Sequence, residues 1–93
     1  MNKSQITEAL AKAKALPFKK AEEIVSTVFG DMEKTLANGK RVEIRGFGSF
    51  KIKHYDGYQG RNPKTGEIIN VEEKKLPFFK VGKELKERVD KLD

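Results

Sequence analysis

Cysteine is absent from this 93-residue chain, so no disulfide can compensate for a thin core. The same absence fits a reducing compartment. No run of 18 apolar residues exists, so no segment is expected to span a membrane. The start, Met1-Asn2-Lys3-Ser4-Gln5, lacks the apolar stretch of a secretion signal, and an intracellular protein is expected. There is one histidine, His54, and it sits in a basic segment with no cysteine beside it. A ribbon side chain or an auxiliary phosphate contact suits it better than a metal ligand, and neither metal nor cofactor is expected. No nucleophile–base pairing stands out, which argues against an enzyme and a small-molecule substrate. Internal repeats and low-complexity segments are also missing. The length allows one domain, and such a short chain buries only roughly 60–65% of its unfolded surface. Oligomerisation is the expected way to gain buried area.

What the chain has is charge. Lysine and arginine number 20 against 14 acidic residues, for a formal charge of +6. Hydrophobic and charged residues each make up 37% of the sequence, so the excess of cations is spread over a surface with little apolar cover. The balance points to a polyanion, either nucleic acid or a membrane surface.

Asn2 can cap a first helix, with Gln5 placed for a capping box. Ile6, Ala9, Leu10 and Ala13 then form one helical stripe. Leu16-Pro17 ends it, because proline disfavours helix in the residue before it. A second helix is expected over Phe18 to Ala37, with Ala21, Val25, Val28, Met32 and Leu36 on its stripe and Ile24 and Phe29 beside it. That stripe is wider than one short partner helix needs. Asn38-Gly39 is a C-terminal stop. The period then changes to two: Val42 and Ile44 alternate with Arg41, Glu43 and Arg45. Gly46-Phe47-Gly48 reads as a turn. Phe50 and Ile52 face one side of the next strand, while Ser49, Lys51, Lys53 and Tyr55 face the other. Ile68 to Val71 is extended, Glu72 to Lys75 is polar, and Leu76 to Phe79 is extended again. A last helix from about Gly82 carries Leu85, Val89 and Leu92 on one face.

The stretch 55–75 is weakly apolar and long, and extensions of that kind in small domains are functional or disordered. Strand patterns flank it, so it reads as an extended hairpin with Arg61 to Gly66 at the tip. Lys51, Lys53, Arg61 and Lys64 line it, against Asp56 and Glu67. A two-stranded ribbon can enter a DNA groove. Asn62-Pro63-Lys64-Thr65-Gly66 on its own is an ordinary turn, since each residue type has a local backbone reason to be there. At the end of a basic arm the same proline is a rigid apolar wedge with no N–H to desolvate. Such wedges enter base steps from the minor groove and kink DNA by roughly 20–90°.

Three motifs, Gly46-Phe47-Gly48-Ser49-Phe50, Gly60-Arg61-Asn62-Pro63-Lys64-Thr65-Gly66 and Pro77-Phe78-Phe79-Lys80, resemble those of the bacterial HU/integration host factor family of DNA-bending proteins. The resemblance runs from the first helix to the last. It implies an α+β fold: two N-terminal helices, a three-stranded antiparallel sheet extended into a β-ribbon arm, and a short C-terminal helix, in an intertwined dimer. Within a single domain, 1–39 would be the helical dimerisation body and 40–81 the sheet, with the arm at about 53–75; 82–93 would be the last helix. The family's intercalating proline falls on Pro63, and minor-groove contacts fall on Arg61 and Asn62, with Lys64 beside them. Core aromatics fall on Phe47, Phe50 and Phe79. Lys3, Lys83 and Lys86 match body lysines that hold flanking phosphates; Arg45, Ser49, Lys51, Lys53, Lys75 and Lys80 complete the expected phosphate-facing set. Val42 to Gly48 and His54-Tyr55 are similar to the integration host factor β subunit, in which a glutamate and an arginine that read sequence fall on Glu43 and Arg45. Asp56-Gly57-Tyr58-Gln59 departs from the family's more basic approach to the tip. The expected partners are duplex DNA and a second subunit, identical or related, in a bacterial nucleoid in the cytoplasm.

Other classes are open to comparison. Arg45-Gly46-Phe47-Gly48 matches the start of an RNA-recognition signature, but Ser49 stands where an aromatic is needed for stacking. Gly60 to Gly66 is followed by Glu67, not by the lysine of a phosphate-binding loop. A basic ribosome-associated protein would share the charge, and the long arm with a wedge at its tip fits duplex bending better.

Overall fold

A computed structural model describes residues 1–92 of the chain. The order is α1 (Lys3–Lys14), α2 (Phe18–Ala37), β1 (Val42–Ile44), β2 (Gly48–Tyr55), β3 (Tyr58–Arg61), β4 (Ile68–Val71), β5 (Lys74–Val81) and α3 (Lys83–Asp90). The α1 start is a closed capping box. The Asn2 side chain accepts from the Gln5 N–H at 2.9 Å, and Gln5 Oε1 accepts from the Asn2 N–H at 2.9 Å. Pro17 precedes α2, and Gly39 follows it at φ +77°, a left-handed conformation that glycine adopts without a Cβ penalty.

The α1 stripe differs from the apolar pattern in the sequence. Ala9 and Ala13 are exposed, and the buried residue is Thr7, flanked by half-buried Ile6, Leu10 and Ala11. Threonine is tolerated there because its hydroxyl donates to the Lys3 carbonyl at 2.9 Å, leaving no unpartnered polar atom. On α2 only Ala21 and Val25 are buried; Ile24, Val28 and Phe29 are exposed, and Met32 and Leu36 half-buried. At the other end, α3 stops at Asp90, so Leu92 lies beyond the helix and is 76% exposed.

β1, β2 and β5 form a three-stranded antiparallel sheet in the order β1-β2-β5, and β3 pairs with β4. β5 starts at Lys74, two residues earlier than the apolar run suggests, because Lys74 and Lys75 pair with Tyr55 and His54. The two ladders keep one register from Gly48↔Val81 out to Arg61↔Ile68. They are separated by a symmetric gap in which Asp56 and Gly57 face Glu73 and Glu72. That register sets Asp56 opposite Glu73, a like-charge pair unfavourable across a ribbon. The backbones also crowd: a Cβ on Gly57 would lie 2.9 Å from the Val71 carbonyl oxygen.

The ribbon makes the molecule long. Its radius of gyration is 19.4 Å and its extents are 61 × 34 × 26 Å. A compact chain of this length would have a radius near 12 Å. From Lys53↔Leu76 to Arg61↔Ile68, each strand rises about 3.3 Å per residue, so the arm reaches about 26 Å before its loop.

Candidate nucleic-acid interface

Residues directly opposite one another in an antiparallel pair share a face, and faces alternate along each strand. In the sheet, one face therefore carries Glu43, Ser49 and Lys80 in a row, then Lys51 beside Phe78, Lys53 beside Leu76, and Tyr55 beside Lys74. The other carries Val42, Phe50 and Phe79, then Ile52 with Pro77. The second face holds the three expected core aromatics together with its neighbours. Phe79 lies 5.5 Å from Phe47 and 4.8 Å from Phe50 between ring centroids. Phe47 and Phe79 stay 45% and 37% exposed, so the aromatic cluster keeps an open side.

The first face is cationic and open. Lys53 Nζ stands 4.7 Å from the Phe78 ring centre and 5.8 Å from that of Tyr55; Lys74 Nζ also lies 5.8 Å from the Tyr55 ring centre. The ammonium groups themselves stand over the aromatic rings, a cation–π arrangement at an exposed site. The ion pairs among the described residues are Lys20–Glu23 and Arg41–Glu43. Lys51, Lys53 and Lys80 are in neither, so their charge is available to an external anion.

At the root of this face, Arg41, Glu43, Arg45, Ser49 and Lys80 line one open depression of about 310 Å³. Glu43 pairs with Arg41 at 3.6 Å. The structure thus brings Glu43, Arg45, Ser49 and Lys80 together, and it adds Arg41. The alternation Arg41, Glu43, Arg45 carried that signal. The α3 N-terminus adjoins the same turn, with the Gly82 N–H donating to the Phe47 carbonyl at 2.9 Å. No side chain caps α3, and Lys83 and Lys86 occupy its first turn or so. Cations oppose the helix dipole there, whereas unsatisfied N–H groups with nearby lysines suit a phosphate.

Two expected residues lie elsewhere. Lys75 faces His54, on the opposite side of the ribbon from Lys51, Lys53 and Lys80. It lines a depression with Leu36, Asn38, Gly39 and Ile52, over the end of α2, where a cation favours the helix dipole. Lys3 lines a groove between α1 and α2 with Phe18 and Glu22. The single chain does not bring it to the sheet.

The tip is a closed, hydrogen-bonded loop. The Asn62 N–H donates to the Glu67 carbonyl at 2.8 Å, and the Gly66 N–H to the Asn62 carbonyl at 2.7 Å. Asn62 Oδ1 accepts from the Lys64 N–H at 2.9 Å, and Thr65 Oγ1 from the Glu67 N–H at 3.3 Å. Gly66 closes the loop at φ +74°. These bonds hold Pro63 and Lys64 at the end of the arm, both exposed, with Arg61 exposed on the last paired rung. With Oδ1 engaged, the Asn62 side chain presents its NH₂ donors.

The model of the family described as "Bacterial DNA-binding protein" matches residues 1–90. The chain belongs to that family. Among curated relatives of the bacterial DNA-binding proteins, integration host factor subunit beta of Haemophilus influenzae (strain PittGG) is 50% identical over 91 residues, 97% of each chain. The same subunit of Halorhodospira halophila is 52% identical over 91 residues, 97% of this chain and 89% of that one. Of solved structures, a cocrystal of Anabaena HU with DNA superposes with a TM-score of 0.84 at 29% identity, over 99% of this chain and 100% of that one. HU from Thermotoga maritima gives 0.64 at 30% identity, over 96% and 98%. No described helix is long and apolar enough to cross a membrane.

Proposed function

We propose that this member of the bacterial DNA-binding family works as a dimer that wraps and bends duplex DNA, laying two ribbon arms in the minor groove and organising the nucleoid in the cytoplasm. It does no chemistry on its substrate. Pro63 enters a base step. Arg61, Asn62 and Lys64 hold the groove around it. Lys51, Lys53, Lys80, Lys83, Lys86 and Arg45 neutralise phosphates. The observation that carries the reading is the ribbon itself: one register kept across the gap at Asp56-Gly57 out to Arg61↔Ile68, ending in a hydrogen-bonded loop with Pro63 exposed. The exposed Phe18, Val28, Phe29 and Phe47 support a shared dimer core, in which each fully buried side chain of this size contributes about 1.5–3 kcal/mol.

A sequence-specific reading, with the chain as one subunit of a heterodimer, is favoured by the names of its half-identical relatives and by the Arg41–Glu43 pair beside Arg45. Competition of nicked or four-way DNA against linear duplex at fixed salt tests the bending reading, which requires the pre-bent forms to win. Equal affinity for both would overturn it. In the same format, a defined site outcompeting random duplex by about a thousandfold or more marks the specific reading, and a ratio near one marks packaging.

A further inference from the structure

On the open face of the sheet, two lysines share one ring. Tyr55 is the last paired residue of β2 before the gap, and Lys74 is its direct partner in β5. Lys53, two residues earlier on β2, lies on the same face. Both ammonium groups stand 5.8 Å from the Tyr55 ring centre, within cation–π range, and that of Lys53 also stands 4.7 Å from the Phe78 ring centre. Carboxylates are close at hand: Asp56 follows Tyr55, and Glu72 and Glu73 precede Lys74. Yet the ion pairs among the described residues, Lys20–Glu23 and Arg41–Glu43, include neither lysine. Tyr55 is 39% exposed, and its hydroxyl makes no hydrogen bond among the described residues. What the side chain offers its neighbours is the face of its ring.

We infer that Tyr55 is a positioning residue that holds Lys53 and Lys74 ready for DNA phosphates, and that Lys74, rather than Lys75, is the phosphate-binding lysine of β5 at the root of the arm; the inference rests on the duplex-wrapping reading above. A carboxylate would also fix a lysine, but it would cancel the charge. A ring attracts the ammonium group through its quadrupole and leaves the full charge, with the remaining N–H donors, to an outside anion. A free lysine loses rotamer freedom when it grips a phosphate, whereas one already resting on a ring has lost part of it before binding. Register decides between the two neighbours. Lys74 shares the face of Lys51, Lys53 and Lys80, and Lys75 lies opposite His54 on the other face, over the end of α2. Past Tyr55 the ribbon turns acidic at Asp56, Glu72 and Glu73, so Lys53 and Lys74 are the last cations on this face before Arg61.

The test measures binding of the full chain to a labelled duplex by anisotropy across a salt series, for the wild type, Tyr55→Phe, Tyr55→Leu, Lys74→Ala and Lys75→Ala. The substituted positions are exposed, and thermal melting follows the fold. Tyr55→Leu keeps every charge, so its slope of log K against log salt should match that of the wild type. Its affinity should fall about tenfold, because each cation–π contact at an exposed site is a factor of about two to five and both lysines of both arms lose one. Tyr55→Phe keeps the ring and should bind as the wild type does. Lys74→Ala should make the slope shallower by about two, one phosphate per subunit, and Lys75→Ala should leave it unchanged. In a Lys53→Ala/Lys74→Ala background, Tyr55→Leu should cost less than about twofold, since no lysine is left for the ring to hold. Wild-type affinity in Tyr55→Leu overturns the positioning role; so does an equal loss in Tyr55→Phe, which would assign the effect to the hydroxyl. A slope that responds to Lys75 and not to Lys74 overturns the phosphate assignment, and that comparison stands even where Tyr55→Leu fails to fold. Each of these failures leaves the duplex-bending reading standing, whereas wild-type protein that binds no duplex overturns both.

Discussion

Replacing Lys51 and Lys53 together by alanine separates charge-driven binding from every other contribution. Both lysines are exposed on the sheet face that also carries Lys80, and neither is in an ion pair among the described residues. Lys53 rests over Phe78 at 4.7 Å, so its loss also removes a cation–π contact worth about 0.5–1 kcal/mol at an exposed site. The fold should survive. Lys51, Lys53 and Lys80 on the sheet, with Arg45, Lys83 and Lys86 at its root, give a dimer about twelve phosphate contacts and a slope of log K against log salt near −11. The double variant leaves about eight contacts and a slope near −7. Between 50 and 200 mM salt, wild-type affinity should fall about 10⁶-fold and that of the variant only about 10⁴-fold. Fluorescence anisotropy on a labelled duplex across a salt series reads both slopes, with thermal melting as the folding control. A variant with the wild-type slope would refute the placement of this face on DNA.

Three further outcomes follow from the geometry. Pro63→Ala should lower the bend angle measured by energy transfer more than it lowers affinity, because smooth bending still costs about 1–6 kcal/mol and the phosphate contacts persist; an unchanged angle would remove the wedge role. Gly48→Ala should destabilise the fold by about 1–3 kcal/mol in thermal melting, since its Cβ would lie 2.6 Å from the Lys80 carbonyl oxygen and the Phe79 ring; an unchanged melting temperature would contradict the packing described. Sedimentation equilibrium at micromolar concentration should give a dimer, and a stable monomer would contradict the two-arm arrangement.

Much of this architecture was legible in the residues. Pro17 and Asn38-Gly39 bound α2 by backbone chemistry alone, and the structure puts its ends at Phe18 and Ala37. The alternation about Phe50 and Ile52 gave the face of β2 that meets Phe79. What stayed hidden depends on pairing or on polar groups with local partners. Thr7 is buried because its hydroxyl bonds within its own helix, which an apolar count misses. Lys75 reads as one more arm cation until cross-strand register sets it opposite His54, away from Lys51 and Lys53. The gap at Asp56-Gly57 is invisible in one strand and follows only when Glu72 and Glu73 are set against it. Arg41 was within reach, two residues before Glu43 on the same alternation, and its role emerges only with the 3.6 Å pair.

The most direct measurement is energy transfer between dyes at the two ends of a duplex of about 35 base pairs, titrated with the wild-type chain at low salt. Bending through two kinks should bring the ends together, so transfer should rise and saturate with the binding isotherm. Saturated binding, shown by anisotropy on the same duplex, with no change in transfer would mean that the arms grip DNA without bending it.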